Sequence, residues 1–504
     1  MKRALRKLGY ALGALCLSVT LFAAIEHWRG RSALERRLKE LAQQHEQLSV
    51  QAWLPQRPAP DQNSAVELTN LNLSVAVLTN WDNLPPSSRN RTPGKKVVLW
   101  RVPAWSFDGS KTNDWRSVAR ELDQAQELLR AVHRVARRPA YDTGFDYHQS
   151  FVDSLAGTVW KVKSAAVLLR MAMLCELSRG NLDAAHEDLL DLIGLAARQR
   201  TEPLAICQGV RQACAALAFQ ATWEALQAPG WTDAQLAAWQ NAWQAGDFFA
   251  GDMAGALEME RAMDVDFFQR VRRSRRELAS AIAQREAWGH RQSPFVTHGF
   301  FLNWINVPLW RIAWADQDTL RELNRWQGFM DKLRLARTNS WAALRAGNGR
   351  DRQPQIPWWT STVDERLQAS WPDRFRFLFS SGWFDREEKL IFRMLHTQVQ
   401  QQMAITALAL RRYQDRKHQP ASELGALVPE YLPALPRDSM DGGVLRYRLR
   451  PDATWVLYSV GDNGKDDGGD PTPNTTTLYD TRDEVWPTAA TPEEAAAAMQ
   501  PRAR

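Results

Sequence analysis

The chain has 504 residues, of which 44% are hydrophobic and 24% charged, ordinary globular values that exclude a disordered protein and allow two or three cores. Its formal charge of +7 does not mark a nucleic-acid binder, because residues 1–39 carry all of it: Lys2, Arg3, Arg6, Lys7, Arg29, Arg31, Arg36, Arg37 and Lys39 stand against Glu26 and Glu35. The remainder is formally neutral and lacks the positive footprint that a phosphate backbone requires.

From Leu8 to Ile25 the chain carries no charge, and that length just spans a bilayer core. A cleaved signal peptide is the competing reading, but no A-x-A pattern closes the segment, and Leu21 or Phe22 falls where a small residue is needed. We therefore expect residues 1–28 to form an uncleaved membrane anchor. The basic N-terminal flank favours a cytoplasmic tip and an exported body, a single-pass protein of the inner membrane, although the basic residues on the other flank oppose that orientation. Next, Ser32 and Glu35 form an S-x-x-E capping box, and Leu34, Leu38, Leu41 and Leu48 line one side of a juxtamembrane helix over 29–50. Such a seam either docks on the body or pairs as a short coiled coil.

Residues 51–113 are rich in Pro, Asn and Ser and read as an irregular segment with two short strand-like runs, Leu73 to Leu78 and Val97 to Trp100. From 114 to 384 the periodicity is helical. Asp114 caps a run through Val118, Leu122, Leu129 and Val132. A helix over about 154–178, the break at Gly180-Asn181 and a return helix over 182–198 make an αα-hairpin, without a 34-residue recurrence to mark a solenoid. Further helices are expected near Thr232, where Gln235 completes a T-x-x-Q box, near Gly255 and near Asp318. The run Arg270, Arg272, Arg273, Arg275, Arg276 reads as a solvated helix face, with an anionic-lipid or nucleic-acid patch as the alternative. Tryptophan is overused, 23 against 18 Phe, and fourteen of them lie between Trp223 and Trp383. Core filling, platforms for sugar rings and a membrane-surface segment at Phe300 to Trp314 compete to explain this. Cys16, Cys175, Cys207 and Cys214 show no zinc spacing, and the three in the body read as small buried hydrophobes.

Residues 385–487 form a distinct pattern. Phe392, Leu395, Val399, Met403, Thr406, Leu410 and Tyr413 mark one face of a long helix that stops before Pro420. A turn at Asp438 to Gly443, an alternating run Val444 to Leu449, a second turn and the run Trp455 to Val460 predict an antiparallel hairpin. It closes on the Asp- and Gly-rich loop YSVGDNGKDDGGD. A tail over 488–504 is expected to be disordered.

This arrangement, with LALRRYQ, QPASELGALVPEYLPALPRD, LRYR and the closing loop, resembles over about residues 400–470 the globular domain of the major pseudopilin of type II secretion systems. The anchor departs from that family: no Glu stands five residues after Gly9 or Gly13, where Ala14 and Ser18 are found. As a whole the chain resembles an uncharacterised family of bacterial single-anchor helical proteins that end in such a tail and a D-x-V-W-P, here Asp483 to Pro487. The pseudopilin resemblance implies calcium in the terminal loop, with Asp462, Asn463, Asp466, Asp467 and Asp470 as candidate ligands and Asp483 as a closing one. Physically, a glycine-rich loop with this many carboxylates suits calcium, and a solvated acidic turn is the plain alternative.

No G-x-S-x-G, Walker loop, G-x-G-x-x-G or H-E-x-x-H is present, and neighbouring acids such as Asp264 and Asp266 sit two apart on a helix and face different ways. The expectation is a mostly α protein: a transmembrane helix, an α-helical hairpin body and a small C-terminal α+β module. It would act as a non-enzymatic interaction or scaffold module for other envelope proteins, associated with a secretion or pilus-like assembly. The alternative is a Trp-lined protein that binds or cleaves carbohydrate.

Overall fold

The structure, a computed structural model, describes residues 2–73, 93–106, 112–148, 153–198, 203–248, 252–289, 306–347, 376–380, 387–472 and 482–499. The expected strand from Leu73 to Leu78 and the first part of Phe300 to Trp314 fall largely outside these residues.

One helix, α1 (Lys2–Gln43), carries the apolar run straight into the juxtamembrane segment; its 42 residues reach about 63 Å. It contains a stretch long and apolar enough to cross a membrane, almost none of it buried against protein. Ser32 and Glu35 therefore do not cap a second helix as expected. A capping box acts only where amides lack partners, and here the helix never stops, so Glu35 pairs with Arg31 one turn back at 2.9 Å.

Two short helices follow, α2 (Val50–Trp53) and α3 (Ala65–Asn70). The run Val97 to Trp100 is not a strand: pairing is confined to β1 (Lys95–Lys96), and a 3-10 turn takes Leu99–Arg101. Its amides find a side chain instead of a sheet, since Leu99 N donates to the buried Glu224 at 3.0 Å. Strands β2 (Ala104–Ser106) and β3 (Thr112–Asp114) pair antiparallel. Asp114 then caps α4 (Trp115–Gln124), accepting from Ser117 N at 2.7 Å, and α5 (Gln126–Arg137) completes the run that ends before Pro139.

The hairpin is α6 (Asp153–Arg179) and α7 (Leu182–Arg198). Gly180, at φ +76°, takes the left-handed position that ends α6, and Asn181 N closes on Glu176 O at 2.9 Å. Helix α8 (Ala205–Leu226) packs on both, and α9 (Asp233–Gln244), capped by Thr232 and Gln235, lies on α7. The long C-terminal helix α14 (Glu387–Lys417) packs on α8 and α9. One continuous core therefore joins Leu169, Leu192 and Trp223 to Leu395, Leu408 and Trp486. Between them, α10 (Asp252–Arg273), α11 (Arg275–Gly289) and α12 (Ala315–Thr338) lead through α13 (Trp341–Gly347) to α14.

After α14, Asp438 organises the turn. Its buried carboxylate accepts from Met440 N at 2.9 Å, Ser459 Oγ at 2.8 Å and Val460 N at 3.0 Å, tying the turn to the end of the second hairpin strand. Strands β4 (Arg446–Leu449), β5 (Trp455–Ser459) and β6 (Glu484–Val485) form an antiparallel sheet with Tyr447 opposite Leu457 and Tyr458 opposite Val485. Within the segment expected to be a disordered tail, residues 488–499 take up regular structure. There β7 (Thr488–Ala489) pairs parallel with β1, α15 (Pro492–Met499) follows, and Lys95 meets Glu494 at 2.5 Å.

Helix α12 runs parallel to α1 and clamps it. Leu34 and Leu41 of α1 are buried with Val265 of α10 and Leu323 of α12, with Leu38 and Leu48 beside them, so the leucine seam docks on the body. Above it sits a buried ionic knot. Arg261, with none of its side chain exposed, reaches Glu46 at 2.7 Å and Gln327 at 3.0 Å and touches Glu258. Arg334 meets Glu46 at 2.5 Å and Glu258 at 3.1 Å. Burial alone would raise the Glu46 carboxyl, but hydrogen bonds from Arg334 and Arg261 overcome it and hold it at about 2.

Other acids of α10 and α12 are shifted the opposite way. Burial pushes Glu260 up to about 7, against a hydrogen bond from Ala205 N, and raises both Asp264 and Glu322. A raised carboxyl keeps its proton in the fold after the unfolded chain has released it. Stability thus falls as pH climbs from about 4.5 through 7. Glu46 works the other way, and its contribution is lost as pH falls from 4.5 towards 2. Thermal unfolding followed against pH should therefore show a maximum at about pH 5, and Glu260→Gln should flatten the alkaline fall. A midpoint that rises steadily from pH 5 to 7 would refute the assignment.

Candidate functional site

The apolar run of α1 meets the body at a defined level. Phe22 meets Trp314 edge-on at 6.2 Å, and Ala23 is buried with Phe268, Leu278, Trp310 and Trp314. Trp310–Trp314 is a π-helical turn that feeds α12. Glu26, the first charge after the apolar run, is buried there; it accepts from Gln317 at 3.0 Å and pairs with Arg29 at 2.9 Å and Arg376 at 3.3 Å. One turn further, Gly30 allows α1 and α12 to approach closely, because a Cβ on it would stand 2.8 Å from Cγ of Gln317.

Beside this close approach the two helices border an open cleft of about 950 Å³. Its two long walls are helix faces at i, i+3, i+4, i+7 spacing: Arg29, Ser32, Ala33 and Arg36 of α1, and Gln317, Leu320, Arg321 and Asn324 of α12. Trp28, 70% exposed, stands at the lower rim. Phe377 closes the far side. Its strand of chain is pinned by Asp318, which accepts from Phe379 N at 2.9 Å, Ser380 N at 3.0 Å and Trp310 Nε1 at 2.8 Å. The Arg321 guanidinium lies over the Phe377 ring at 4.3 Å, a cation–π contact that fixes its direction.

The cleft is positive. Arg29, Arg36, Arg321 and Arg325 contribute to the wall, and among the described residues no carboxylate does. Arg325 donates to the Ser380 carbonyl and lies 3.6 Å from Glu322, but burial and then the neighbouring Asp264 raise the Glu322 carboxyl and weaken it as a counter-ion. Such a wall, with Ser, Gln and Asn among arginines over Leu320 and Phe377, suits an anion with an apolar portion. It holds no nucleophile paired with a base. The arginine run at 270–276 divides: Arg270 pairs with Asp266 and Glu277, Arg272 meets Asp316, and Arg273, Arg275 and Arg276 are exposed.

The acidic loop is built differently from a calcium site. Asp483, almost fully buried, turns its carboxylate to backbone amides, accepting from Asp467 N at 3.4 Å, Gly469 N at 2.7 Å and Asp470 N at 3.0 Å. Asp470 accepts from Thr472 and pairs with Arg482 at 3.2 Å; Asp466 accepts from the Tyr458 hydroxyl at 3.0 Å; Asp467 accepts from Asn463 at 2.8 Å. The Asp462 carbonyl accepts from Trp341 and Arg345 of α13, both at 3.0 Å. The Asp466, Asp467, Asp470 and Asp483 side chains face separate donors, and among the described residues no three acids, His or Cys converge where an ion would sit. As arranged, the donor set does not fit calcium, which needs six to eight oxygens turned to one point.

The D-x-V-W-P stretch has a structural account. Asp483 caps the loop, Val485 pairs in the sheet, Trp486 packs edge-on against Phe219 at 5.3 Å, and the Pro487 carbonyl accepts from Trp223 at 2.8 Å. No protein-family model matches the chain, and no curated protein or solved structure matches it either.

Proposed function

We propose that this is a single-anchor envelope protein whose body stands on the outer surface of the inner membrane as a non-enzymatic interaction module for other envelope components. The observation that carries this reading is the continuity of α1: the apolar stretch leads without a break into a helix clamped along its length by α12. The large buried tryptophans Trp223, Trp239, Trp243, Trp310 and Trp326 fill helix crossings, which supports an interaction body over a set of sugar platforms. The order of long helix, hairpin and closing loop at the C-terminus supports an association with a secretion or pilus-like assembly.

Two measurements test the placement. An exported phosphatase fused after Arg504 should be active and a cytoplasm-only fluorophore dark; the reverse would overturn the orientation. Deleting residues 2–21, which keeps Phe22 against Trp314, should release a soluble protein, whereas the full chain should resist alkaline extraction. A full chain that washes off would overturn the anchor.

A further inference from the structure

We propose that the cleft between α1 and α12 holds the phosphate-bearing headgroup of an anionic lipid from the leaflet on which the body stands. This rests on the reading of residues 8–25 as an uncleaved anchor and adds a ligand to it.

The position of the cleft selects the ligand. The apolar run ends at Ile25 and Trp28 sits at the rim, so the opening lies within a turn of the membrane boundary, the level at which tryptophan collects. The body reaches the same level, because Trp314 touches Phe22, and Ile312 of the same π-turn is 59% exposed. A lipid phosphate stands at that height, and the cleft offers it arginines side by side with the apolar surfaces of Leu320, Phe377 and Trp28.

The charges select it a second time. Arg36 has its Nε on the Ser32 carbonyl at 3.3 Å, and Arg321 is stacked on Phe377, so both are held in place by uncharged partners. They stand on the two helix walls of one cleft, so phosphate oxygens held between the walls can meet a guanidinium from each helix. Around the cleft, Arg311 donates to the carbonyls of Arg272 and Arg273 at 3.1 and 3.2 Å, which holds the exposed Arg273, Arg275 and Arg276 beside the π-turn. These add a diffuse attraction to an anionic surface, and the cleft adds a specific seat.

The test uses the full chain in lipid nanodiscs of phosphatidylcholine alone or of an equal mixture with phosphatidylglycerol. After transfer to a neutral detergent, lipid still bound is counted by mass spectrometry of the intact protein. The parent should retain phosphatidylglycerol in preference to phosphatidylcholine, and Arg36→Gln with Arg321→Gln should cut that preference by about thirtyfold. Arg275→Gln with Arg276→Gln, which removes the same charge outside the cleft, should keep it. Ala33→Trp, which fills the cleft and leaves every arginine, should lose it and serves if the double variant unfolds in phosphatidylcholine discs. A parent without preference, an equal loss in the Arg275/Arg276 control, or complete displacement of the lipid by inorganic phosphate would each overturn the proposal. Alkaline extraction reports the anchor separately, so a failed cleft and a failed anchor remain distinguishable.

Discussion

Replacing Arg261 with Met should destabilise the protein by about 3–5 kcal/mol, more than any surface change. Arg261 is completely buried and is shared by Glu46, Glu258 and Gln327. Its removal leaves two carboxylates in the interior with Arg334 alone, whose side chain is half-exposed. The cost is that of stranding charge, not the worth of the pair, because well-packed apolar groups replace whole buried ion pairs at little loss. The variant that also carries Glu46→Gln and Glu258→Gln should therefore be more stable than Arg261→Met alone. Denaturant unfolding of the form lacking residues 2–21 reads both. A triple variant weaker than the single one would show that packing around the guanidinium, and not uncompensated charge, sets the cost. Because Glu46 lies just beyond α1, the single variant should also loosen the join between stalk and body, seen as faster amide exchange over residues 34–50.

Trp223→Ala should cost a similar amount, about 3–5 kcal/mol, for a different reason. The ring is fully buried, its N–H satisfies the Pro487 carbonyl at 2.8 Å, and the Lys96 ammonium lies over it at 4.8 Å. It thus fastens both β1 and the segment leading into β7 to α8. Trp223→Phe keeps most of the apolar area and should cost about 1–3 kcal/mol for the stranded carbonyl. Limited proteolysis separates the terms: in either variant cleavage within residues 482–499 should precede cleavage of the helical core. Simultaneous loss of both would mean that Trp223 holds the core itself and that the C-terminal segment merely rides on it.

Features with local causes were legible in the sequence. Asp114 and Thr232 cap the helices that they were expected to start, and the break at Gly180-Asn181 falls where a left-handed residue is needed. Features that depend on what packs nearby were not. Ser32 and Glu35 have the right spacing for a cap, but helix formers on both sides and the docking of Leu34 and Leu41 on Val265 and Leu323 keep the helix running. Val97 to Trp100 is four apolar residues, ambiguous by periodicity, and the decision falls to Glu224, more than a hundred positions away. The segment 488–504 looks too polar and alanine-rich to fold alone, and residues 488–499 take up structure because β1 and Lys95 receive them. The cleft was half visible: Arg29 and Arg36 share a face of α1 by spacing, but nothing local pairs them with Arg321. The acid-rich loop was visible in composition, whereas the direction of each carboxylate depended on amides and arginines brought in by the fold.

With the apolar run in a bilayer, as proposed, the unbroken α1 makes the protein a lever with its fulcrum at the lipid surface. Some eighteen residues lie in the apolar arm and a similar number in the stalk, so each arm is about 27 Å long. A tilt of about 20°, ordinary for a spanning helix, swings the top of the stalk sideways by about 9 Å. With the Glu46 knot fixing that end to α10 and α12, the body turns with it. A bilayer that thins or thickens under the anchor therefore changes the angle at which the entire body is presented to its neighbours.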